Sequence, residues 1–476
     1  MEGAFVPSGI RGLDEVIPGL PEGGLILLAG NPGTGKTMFS ASFIHYGIVE
    51  RGEKGVYASL AEGKREFYAS MKALGYDFEK LEREGMFRFL NLITLIGEGA
   101  STLINEVLAE AEDLGAKRLV IDPFSAIAQG LGDPREVRVF LHTFLSKIVK
   151  RLGCTTILVE EIPLGRRAIG YGFEEFVADA VIILRNTRYE DKLLRELRIM
   201  KLRGAEVRNP DVCFTLHGGF KAFPPFGKAR LEAARRYEPV PDPPNAYSTG
   251  VRDLDEALGG YPKGSVVMLD LDMRISAEQY RLIVTPTIAN FIVKKRPVIV
   301  VPTAGAAWMD VADYMKGYGL SEEELADRLR IPALRDEALK GTTPSYVIPF
   351  EPKSLKESYE EFLKLEEELL RRHGQPILKF VGLDWLVHFW GEEGAIHLLN
   401  LDARRTRYLG GLTILLGKPI YPEILKRMPP LASVHLKLTR RHGCLLLYGV
   451  KPRTPLYAVE ADYSKGYPLP KLTPIV

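Results

Sequence analysis

Residues 30–37 hold the side chains best suited to chemistry, because their types and spacing match a known kind of anion site. They read Gly-Asn-Pro-Gly-Thr-Gly-Lys-Thr, the G-x-x-x-x-G-K-[ST] pattern of a phosphate-binding loop. Gly30, Gly33 and Gly35 allow positive φ angles and a close approach of the backbone to an anion. Successive N–H groups then point into one concavity, and the positive end of a following helix adds to them. The stretch therefore predicts a nucleotide-binding site.

The polar residues of this loop have separate expected roles. Lys36 would reach the β- and γ-phosphates of a nucleotide, and the Thr37 hydroxyl would ligate Mg²⁺. A buried-strand-like run, Leu25–Ala29, precedes the loop, and a helix-compatible stretch, Met38–Val49, follows it, as the mechanism requires. The predicted binding residues are Gly30, Asn31, Pro32, Gly33, Thr34, Gly35, Lys36, Thr37 and Met38, with Thr37 as a metal ligand and Lys36 also catalytic.

Two acidic residues at strand ends are candidates for the rest of the site. Asp122 closes the apolar run Arg118–Asp122, which suits an acid that holds Mg²⁺ through water. Glu62 follows the run Val56–Leu60 and would orient or deprotonate an attacking water. The alternative for Glu62 is a solvated loop carboxylate.

Two further charged pairs leave their roles open. Glu160 and Glu161 close another apolar run, where two carboxylates would repel and raise one pKa if partly buried. Catalytic and structural roles fit them equally. Lys201 and Arg203 follow an alternating segment that places both on one face, as a γ-phosphate clamp requires. Ordinary solvated charges are the alternative.

The elements that must position these residues follow an α/β pattern. Short apolar runs alternate with helix-like stretches such as Ala100–Leu114 and Arg135–Lys150. This alternation predicts a mostly parallel sheet with helices on both faces and ligands at the carboxyl ends of its strands. The predicted strands are Leu25–Ala29, Gly55–Leu60, Phe87–Leu92, Arg118–Asp122, Thr155–Val159, Ala180–Leu184, Leu194–Lys201 and Cys213–Leu216.

An internal repeat shows that the chain is duplicated. The segment Ser8–Gly24, interpreted as a short helix and a Pro/Gly turn before the strand Leu25–Ala29, recurs at Thr249–Ser265 with eight identities in seventeen positions. Between the copies, residues 237–246 contain four prolines and predict a semi-rigid linker. The predicted domains are therefore residues 1–236 and 247–476.

These motifs together resemble the KaiC-like ATPases of the RecA superfamily, which often carry two such domains in tandem. The resemblance implies two RecA-like P-loop NTPase domains and ATP as the nucleotide. It also implies that Lys201 and Arg203 act in trans within a homo-oligomeric ring, commonly a hexamer. The residues that carry it are Ser8–Asp14, Gly30–Thr37, Leu119–Asp122, Glu174–Ile182 and Lys201–Gly204.

The chain departs from this family at three places. Ala61 and Glu62 stand where the family usually has two adjacent glutamates, so hydrolysis is expected to be slow or absent. Glu160 occupies a position that is commonly polar and uncharged, and we hypothesise that it partly replaces the missing acid. Val207 and Arg208 stand where a histidine often follows the Lys-x-Arg-Gly motif.

The second copy has lost the loop. At the same offset, Leu271, Arg274 and Ser276 replace the three glycines, and Ala277 and Glu278 replace Lys36 and Thr37. Non-glycine residues resist positive φ, and an acid repels phosphate. Domain two is therefore expected to keep the fold without binding ATP and Mg²⁺.

Some features of the second copy remain. Asp384 keeps the strand-end acid, whereas Thr439 replaces Arg203. A structural or partner-binding role for domain two follows. Four aromatic residues could line a surface for a protein partner, although a place in the core is the alternative. They are Tyr314, Trp385, His388 and Trp390.

Composition narrows the functional class. The net charge of +2 argues against a nucleic-acid partner, and no apolar run approaches the roughly 18 residues of a membrane helix. The N-terminal residues lack a signal-peptide layout, so a cytoplasmic protein is expected. Three dispersed cysteines predict buried thiols, and the Lys/Arg/Glu-rich composition hints at a thermophile.

Three functions remain open. The first is an ATP-binding, slowly hydrolysing regulatory switch. The second is a DNA-dependent recombinase or helicase-like ATPase, for which the short segment Gly165–Gly170 is the one candidate DNA loop. The third is a nucleotide-binding scaffold that does not hydrolyse ATP.

Overall fold

The chain forms two compact units. The computed structural model describes residues 4–93, 100–131, 133–144, 151–163, 165, 174–227, 234–303, 305–335 and 343–476. The first unit comprises Met1–Pro225 together with His442–Cys444 and Pro474–Val476, and the second comprises Phe226–Arg441 and Leu445–Thr473.

The first unit is built on a nine-stranded sheet, and each of the eight strands predicted for it forms. The ninth strand of this sheet, β11, is only three residues long and lay outside the predicted set, as did β1 and β2, which form a separate two-stranded sheet. The strands are β1 (Phe5–Val6), β2 (Leu20–Pro21), β3 (Leu25–Gly30), β4 (Gly55–Ser59), β5 (Phe87–Asn91), β6 (Arg118–Asp122), β7 (Thr155–Glu161), β8 (Ala180–Tyr189), β9 (Lys192–Leu202), β10 (Asp211–Thr215) and β11 (Lys221–Phe223).

The helices of the first unit follow the strands as predicted. The helix predicted over Arg135–Lys150 begins at Pro134 and is described as far as Phe144, beyond which residues 145–150 lie outside the described part. The helices are α1 (Lys36–Arg51), α2 (Lys64–Lys72), α3 (Phe78–Arg83), α4 (Ala100–Leu114), α5 (Phe124–Leu131), α6 (Pro134–Phe144) and α7 (Glu174–Val177).

The central strands of this sheet are parallel and buried on both faces. The order is β11-β10-β9-β8-β3-β7-β6-β4-β5, and β3 pairs in parallel with both β7 and β8. Ile26 and Leu28 of β3 pack into one hydrophobic cluster, and Leu25, Leu27 and Ala29 into another. This alternation buries both faces, as expected for a sheet with helices on each side.

The repeated segment before β3 is the one local prediction that proves wrong. Residues 12–16 form turns, not a helix, whereas the second copy forms α8 (Arg252–Leu258). Gly12 has φ +82°, and a Cβ there would lie 2.1 Å from the Ala222 carbonyl oxygen. The backbone at Gly12 is therefore left-handed, which interrupts a right-handed helix.

The second unit contains a ten-stranded sheet. Its strands are β12 (Ala246–Tyr247), β13 (Tyr261–Pro262), β14 (Ser265–Leu271), β15 (Val298–Val301), β16 (Leu329–Leu334), β17 (Val347–Phe350), β18 (Leu378–Gly382), β19 (Leu412–Gly417), β20 (Val434–Arg441), β21 (Cys444–Lys451), β22 (Tyr457–Asp462) and β23 (Leu469–Pro474). Its further helices are α9 (Ala277–Val293), α10 (Trp308–Lys316), α11 (Glu322–Arg328), α12 (Leu355–His373), α13 (Leu383–Leu409) and α14 (Pro422–Arg427).

The second sheet repeats the topology of the first. Its order is β17-β16-β15-β18-β19-β14-β20-β21-β22-β23, so β14 lies between β19 and β20 as β3 lies between β7 and β8. Residues from alternate positions of β14 again enter two different clusters. The chain is therefore a tandem pair of mostly parallel α/β units, as the internal repeat predicts.

Residues 237–246, interpreted above as a linker, pack within the second unit. The ring of Tyr237 contacts Tyr318 and Tyr467, with centroids 5.7 and 5.1 Å away. Asp242 forms ion pairs with Lys294 and Arg296. Burial opposes ionisation of Asp242, but the hydrogen bonds from Arg296 and Lys294 outweigh it and lower the pKa to about 2.

The three cysteines are free and buried, as predicted. Burial raises the pKa of Cys154 to about 12, so this thiol is inert. Within the described ranges, no helix is both long and apolar enough to span a bilayer.

Candidate nucleotide site

The loop Gly30–Thr37 joins β3 to α1 in the geometry that its glycines predict. Gly33 and Gly35 have φ of +73° and +93°, values that side chains with a Cβ rarely adopt. A Cβ at Gly35 would also lie 2.7 Å from the Leu216 side chain. At Gly30 it would lie 2.7 Å from the Leu184 carbonyl oxygen. Glycine is thus required at Gly35 by both conformation and space.

The N-terminus of α1 is open. Its N-cap is Gly35, and no described side chain caps the helix. The first turn, beginning Lys36-Thr37-Met38, carries no acid. The first N–H groups of a helix have no intrahelical partner and carry partial positive charge. This end of α1 therefore suits an anion.

Lys36 is buried beside three acids. Its ammonium donates hydrogen bonds to the carbonyl oxygens of Gly30 and Asn31, each at 3.0 Å. Burial lowers the pKa of Lys36, whereas Glu161, Asp122 and Glu160 raise it in that order. The Lys36 ammonium thus donates only to neutral carbonyl oxygens. A phosphate oxygen carries negative charge and would form a stronger hydrogen bond with it.

Thr37 and Asp122 lie together although 85 residues separate them. The Thr37 hydroxyl donates to Asp122 Oδ2 at 2.8 Å, and the Tyr57 hydroxyl donates to the same oxygen at 2.5 Å. Burial raises the pKa of Asp122, and the two hydroxyls partly offset this. A hydroxyl and a carboxylate oxygen are hard ligands that suit Mg²⁺, which usually keeps several waters. These two residues fit the predicted metal position.

Glu62 lies in the turn after β4. Ser59 holds this turn, because its hydroxyl donates to the Glu62 carbonyl oxygen and accepts the Glu62 N–H. Burial raises the pKa of Glu62, with Asp122 and Glu66 adding to the effect. A carboxylate with a raised pKa next to Asp122 is better suited to accept a proton near neutral pH.

Glu160 and Glu161 differ in their surroundings. Glu160 is 3% exposed and pairs with Ala29 in the parallel register, while Glu161 is exposed and pairs with Gly30. Of the two, Glu161 has the larger electrostatic effect on Lys36. The catalytic role of Glu160 stays a prediction. Glu161, the next residue, also acts electrostatically on Lys36.

Arg195 supports the loop from the β8–β9 hairpin, a role that the sequence did not reveal. Its guanidinium donates to the Gly33 carbonyl oxygen at 3.1 Å and to Asn186 Oδ1 at 2.8 Å, and Nε donates to the Val476 carbonyl oxygen. The side chain is 9% exposed, and burial lowers the pKa of Arg195. Because the trans peptide is planar, fixing the Gly33 carbonyl also fixes the direction of the next N–H, that of Thr34.

Lys201 and Arg203 lie at the opposite edge of the sheet from the loop. Val181 of β8 pairs with Lys201 on one side and with Leu27 of β3, three residues before Gly30, on the other. Three residues of strand span about 10 Å, Arg203 lies two residues beyond Lys201, and β8 separates β9 from β3. Within one chain these cations therefore cannot contact phosphates in the loop.

Each of these cations has partners within the chain. The Lys201 ammonium donates to the carbonyl oxygens of Glu175 and Phe176, and Arg203 donates to Asp179 Oδ1 at 2.8 Å. Burial and then the Arg203 charge lower the pKa of Lys201. Their predicted action in trans stays a prediction.

The second unit has no open helix end at the equivalent place. Ser276 caps α9, with its hydroxyl accepting from the Gln279 N–H while Gln279 Oε1 accepts from the Ser276 N–H. Asp272 forms an ion pair with Arg274 at 2.7 Å. The hydrogen bond from Arg274 lowers the pKa of Asp272 to about 2. The helix end is occupied by its own side chains.

Sequence reasoning missed the residues that act on the site from other strands. Tyr57, Ser59, Asn186 and Arg195 carry no motif, and their contacts span between 3 and 162 residues. Alternation along β4 was the one available signal for Tyr57, since it places this side chain on the face opposite Val56. Most of the candidate DNA loop, Gly165–Gly170, lies outside the described residues.

Comparison with known proteins gives the same identification. A family model described as "ATPase: KaiC" matches residues 6–219, and one described as "GvpD basic region 2" matches residues 236–309. The UPF0273 protein MJ1359 of Methanocaldococcus jannaschii is 33% identical over 216 residues, which are 42% of this chain and 87% of that protein. The Circadian clock oscillator protein KaiC of Synechococcus elongatus is 33% identical over 54% of this chain and 50% of that protein.

A solved structure extends this list. The KaiC-like protein PH0186 of the hyperthermophilic archaeon Pyrococcus horikoshii is 37% identical, with coverage of 47% of this chain, 100% of that chain and a TM-score of 0.43. The chain spans about half the length of the KaiC relatives that it matches. The phosphate-binding loop, the tandem α/β units and these sequence matches show that the chain belongs to the KaiC-like ATPases of the RecA superfamily.

Proposed function

We propose that the first unit binds ATP with Mg²⁺, hydrolyses it slowly and uses the nucleotide state as a regulatory switch. The observation that carries this proposal is the open N-terminus of α1 beside the buried Lys36. Phosphate would replace the two carbonyl oxygens as the partner of Lys36. Thr37 and Asp122 would hold Mg²⁺, which supplies charge neutralisation to the phosphate oxygens when bound.

Slow turnover follows from the acids near the loop. Glu62 is the single carboxylate at its strand end, since Ala61 precedes it. Its raised pKa favours proton acceptance, and Ser59 fixes the turn that carries it. Phosphoryl transfer depends mainly on positioning and charge stabilisation, so a site with one such acid retains some rate.

Completion of the site by a second copy is part of the proposal. Lys201 and Arg203 are too far from their own loop, but Lys201 donates to the carbonyl oxygen of Phe176, whose hydrophobic side chain is exposed. An exposed apolar side chain next to two cations suits a heterologous contact between copies, and such contacts can close into rings. A neighbour's cations would then reach the γ-phosphate.

Single-turnover hydrolysis of ATP tests the proposed chemistry. Wild type is expected to bind and slowly cleave ATP, whereas Glu62→Gln binds it and loses about 10²–10⁴-fold in rate. Lys36→Ala should lose binding. Equal rates for wild type and Glu62→Gln would contradict the role of Glu62, and bound but uncleaved ATP in wild type would indicate a non-hydrolysing scaffold.

Measuring ATP turnover with and without single-stranded DNA distinguishes the regulatory switch from a DNA-dependent motor. For the switch, DNA should leave turnover unchanged at all salt concentrations. Stimulation by DNA that falls steeply with added salt would instead support the recombinase or helicase-like function.

Mixing two inactive variants tests the contact in trans. Arg203→Ala and Glu62→Gln are each expected to be slow, but an equimolar mixture should recover about a quarter of the wild-type rate, because a quarter of the interfaces combine both intact residues. No recovery, with a solution mass that shows a mixed oligomer, would contradict the trans role.

A further inference from the structure

The second unit contains an apolar cavity that its lost phosphate loop does not explain. The cavity has a volume of about 160 Å³ and lies between β15, β16, β17 and β18 and the helices α12 and α13. Its wall includes Val301, Phe350, Phe362, Trp385 and Leu399. Protein interiors are close-packed, and voids larger than a water molecule are few. A cavity of about 150 Å³ lined by such side chains is large enough to hold benzene.

A second pocket of about 350 Å³, here called the outer pocket, adjoins this cavity. Pro332 and Trp385 line both spaces, and Trp308, His388 and Phe389 line the outer one. Trp385 therefore stands between the cavity and the outer pocket. The two spaces lie where β15 and β18 end, at the carboxyl edge of a parallel sheet, which is the usual ligand edge of such folds.

A break in α13 shapes one wall of the cavity. Gly391 has φ +66° and ψ 175°, so it divides the helix into Leu383–Trp390 and a longer second part. The first part carries Trp385 and Trp390, and the Trp390 indole donates to the Lys353 carbonyl oxygen at 3.2 Å. The short segment Leu383–Trp390 therefore places two indole rings in the wall of the cavity.

The charges near the cavity are already neutralised. Asp402 lines the cavity, and its carboxylate accepts from Lys379 at 2.5 Å and from Thr413 at 3.0 Å. Glu366 accepts from Lys379 and Arg405. These two acids and two cations balance one another, and Glu361, the other acid in the wall, pairs with Lys353, so the wall offers no unpaired charge. A charged ligand would therefore be buried without a partner, which is costly.

Two polar groups of wall residues remain available. Tyr359 and Trp385 line the cavity, and neither the Tyr359 hydroxyl nor the Trp385 indole N–H makes a hydrogen bond to any described residue. The Tyr359 hydroxyl is the one that can also accept a hydrogen bond. Burial raises the pKa of Tyr359 to about 12, with the charges of Asp402 and Glu366 adding to this, so the hydroxyl stays neutral. It can donate or accept one hydrogen bond.

We propose that the second unit binds a small uncharged ring compound, bearing at most one hydrogen-bonding group, in the cavity beside the segment Leu383–Trp390. The ring would pack on Phe350, Phe362 and Trp385, and its polar group would meet Tyr359. This site is separate from the nucleotide site and does not depend on ATP binding. The unit that has lost its phosphate loop is thereby a receptor for a small apolar molecule.

Calorimetric titration of the full chain with p-cresol, toluene and benzoate tests the proposal. We expect p-cresol and toluene to bind at one site per chain and benzoate to show no saturable binding. All three tryptophans of the chain line the cavity or the outer pocket, so tryptophan emission should change on saturation with toluene. Benzoate binding as tight as that of p-cresol, or no saturable binding of either ring compound, would overturn the proposal.

Four variants locate the site. Leu399→Phe and Leu398→Phe fill the cavity and should each weaken p-cresol binding at least about tenfold, provided that they melt cooperatively. Tyr359→Phe should weaken p-cresol about fivefold and leave toluene unchanged. Glu392→Gln, a change on the same helix at a residue outside the cavity wall, should alter neither.

A Lys36→Ala chain excludes the nucleotide site as the place of binding. Its affinity for p-cresol should equal that of wild type, and saturating ATP should not compete in wild type. Loss of p-cresol binding in Lys36→Ala, or unchanged binding in both cavity-filling variants, would show that the ring compound binds elsewhere.

Discussion

Helices α1 and α9 occupy the same place in their sheets but have opposite N-terminal chemistry. The first turn of α1 follows Gly35, carries Lys36 and Thr37, and holds no acid. The first turn of α9 follows Ser276, which forms a capping box with Gln279, and it includes Glu278. An anion competes for the N–H groups of α1 only with water, but it would have to displace side chains at α9. The duplication kept the fold and removed the phosphate chemistry from one copy.

The strand-end acids of the two units show the same divergence. Asp122 accepts hydrogen bonds from two hydroxyls, and no ammonium contacts it among the described residues. Asp384 accepts from the Lys418 ammonium at 2.8 Å and is 2% exposed. Lys418 follows β19, where the first unit has Glu161 at the end of β7. In the second unit, Lys418 thus neutralises Asp384, while the position of the loop lysine is occupied by Ala277.

The largest expected effect comes from closing the open helix end. Gly35→Val should weaken ATP binding by about 100-fold or more, because the side chain would meet Leu216 and resist the positive φ. Gly52→Ala is the matched control, since Gly52 also has a positive φ at the other end of α1 but no described atom lies near a Cβ there. Equilibrium binding of ATP measures both. Normal binding by Gly35→Val would contradict the loop geometry.

The two strand-end acids should respond differently to the same substitution. Asp122→Asn is expected to weaken Mg²⁺-dependent ATP binding by about 10–100-fold, as for loss of a group that holds a metal. It should leave the melting temperature of the nucleotide-free protein unchanged or higher, because burial disfavours the charged form. Asp384→Asn should leave ATP binding unchanged and lower the melting temperature, because Lys418 loses its partner.

Titration of ATP against Mg²⁺ and thermal melting check this pair. A loss of Mg²⁺-dependent binding in Asp384→Asn would show that the second unit contributes to the nucleotide site. Equal Mg²⁺-dependent ATP binding by Asp122→Asn and wild type would show that Asp122 does not contribute to the nucleotide site.

The pH dependence of stability should have opposite signs for acids of the two units. Asp242, with a pKa lowered to about 2, contributes about 2 kcal/mol of stability above its unfolded pKa near 3.9, and this contribution is lost as the pH falls toward 2. Asp122 and Glu62 have pKa values raised by folding, so each stabilises the folded protein in its neutral form. This contribution to the free energy of unfolding is lost as the pH rises through the raised pKa.

Urea unfolding at several pH values measures both effects. The stability deficit of Asp242→Asn should shrink on acidification, whereas the relative stability of Asp122→Asn should grow as the pH rises. A deficit of Asp242→Asn that stays constant down to pH 2 would contradict its ion pairs with Lys294 and Arg296.

The smallest expected effect concerns the support of the loop by Arg195. Arg195→Ala should weaken ATP binding about 5–10-fold, because the Gly33 peptide loses the hydrogen bond that orients it. Arg198→Ala on the same strand is the control, since Arg198 pairs with Asp211 at the protein surface. Equal affinities of the two variants would show that the loop keeps its conformation without Arg195.

Local signals were sufficient for the elements that carry the loop. Short apolar runs predicted β3 and its neighbouring strands, and most of the predicted strand ends lie within two residues of the observed ones. The glycine spacing predicted the turn into α1. The prediction failed before β3, where Gly12 interrupts the helix that Asp253 permits in the second copy. The positive φ of Gly12 goes with its close approach to the Ala222 carbonyl oxygen, which is distant in sequence. Hydrophobic periodicity carries no information about such a contact.

The candidate site was predicted only in part. Lys36, Thr37, Asp122 and Glu62 could be proposed because each belongs to a loop or strand end with a known chemical pattern. The contacts of Tyr57 and Arg195 depend on which strands are neighbours, and that order follows from packing of the whole sheet.

The sequence by itself determined that this chain is duplicated, that one copy carries a phosphate-binding loop and that the other has lost it. These conclusions depend on residue types at fixed local spacing, and glycine conformation and helix-end charge act over a few residues. The tertiary structure alone decided that Asp122 meets Tyr57 and that Lys201 and Arg203 face away from the loop. It also decided that an apolar cavity opens beside Trp385 in the second unit. Strand order, burial and the fit of side chains join residues far apart in the chain, and no local pattern records them.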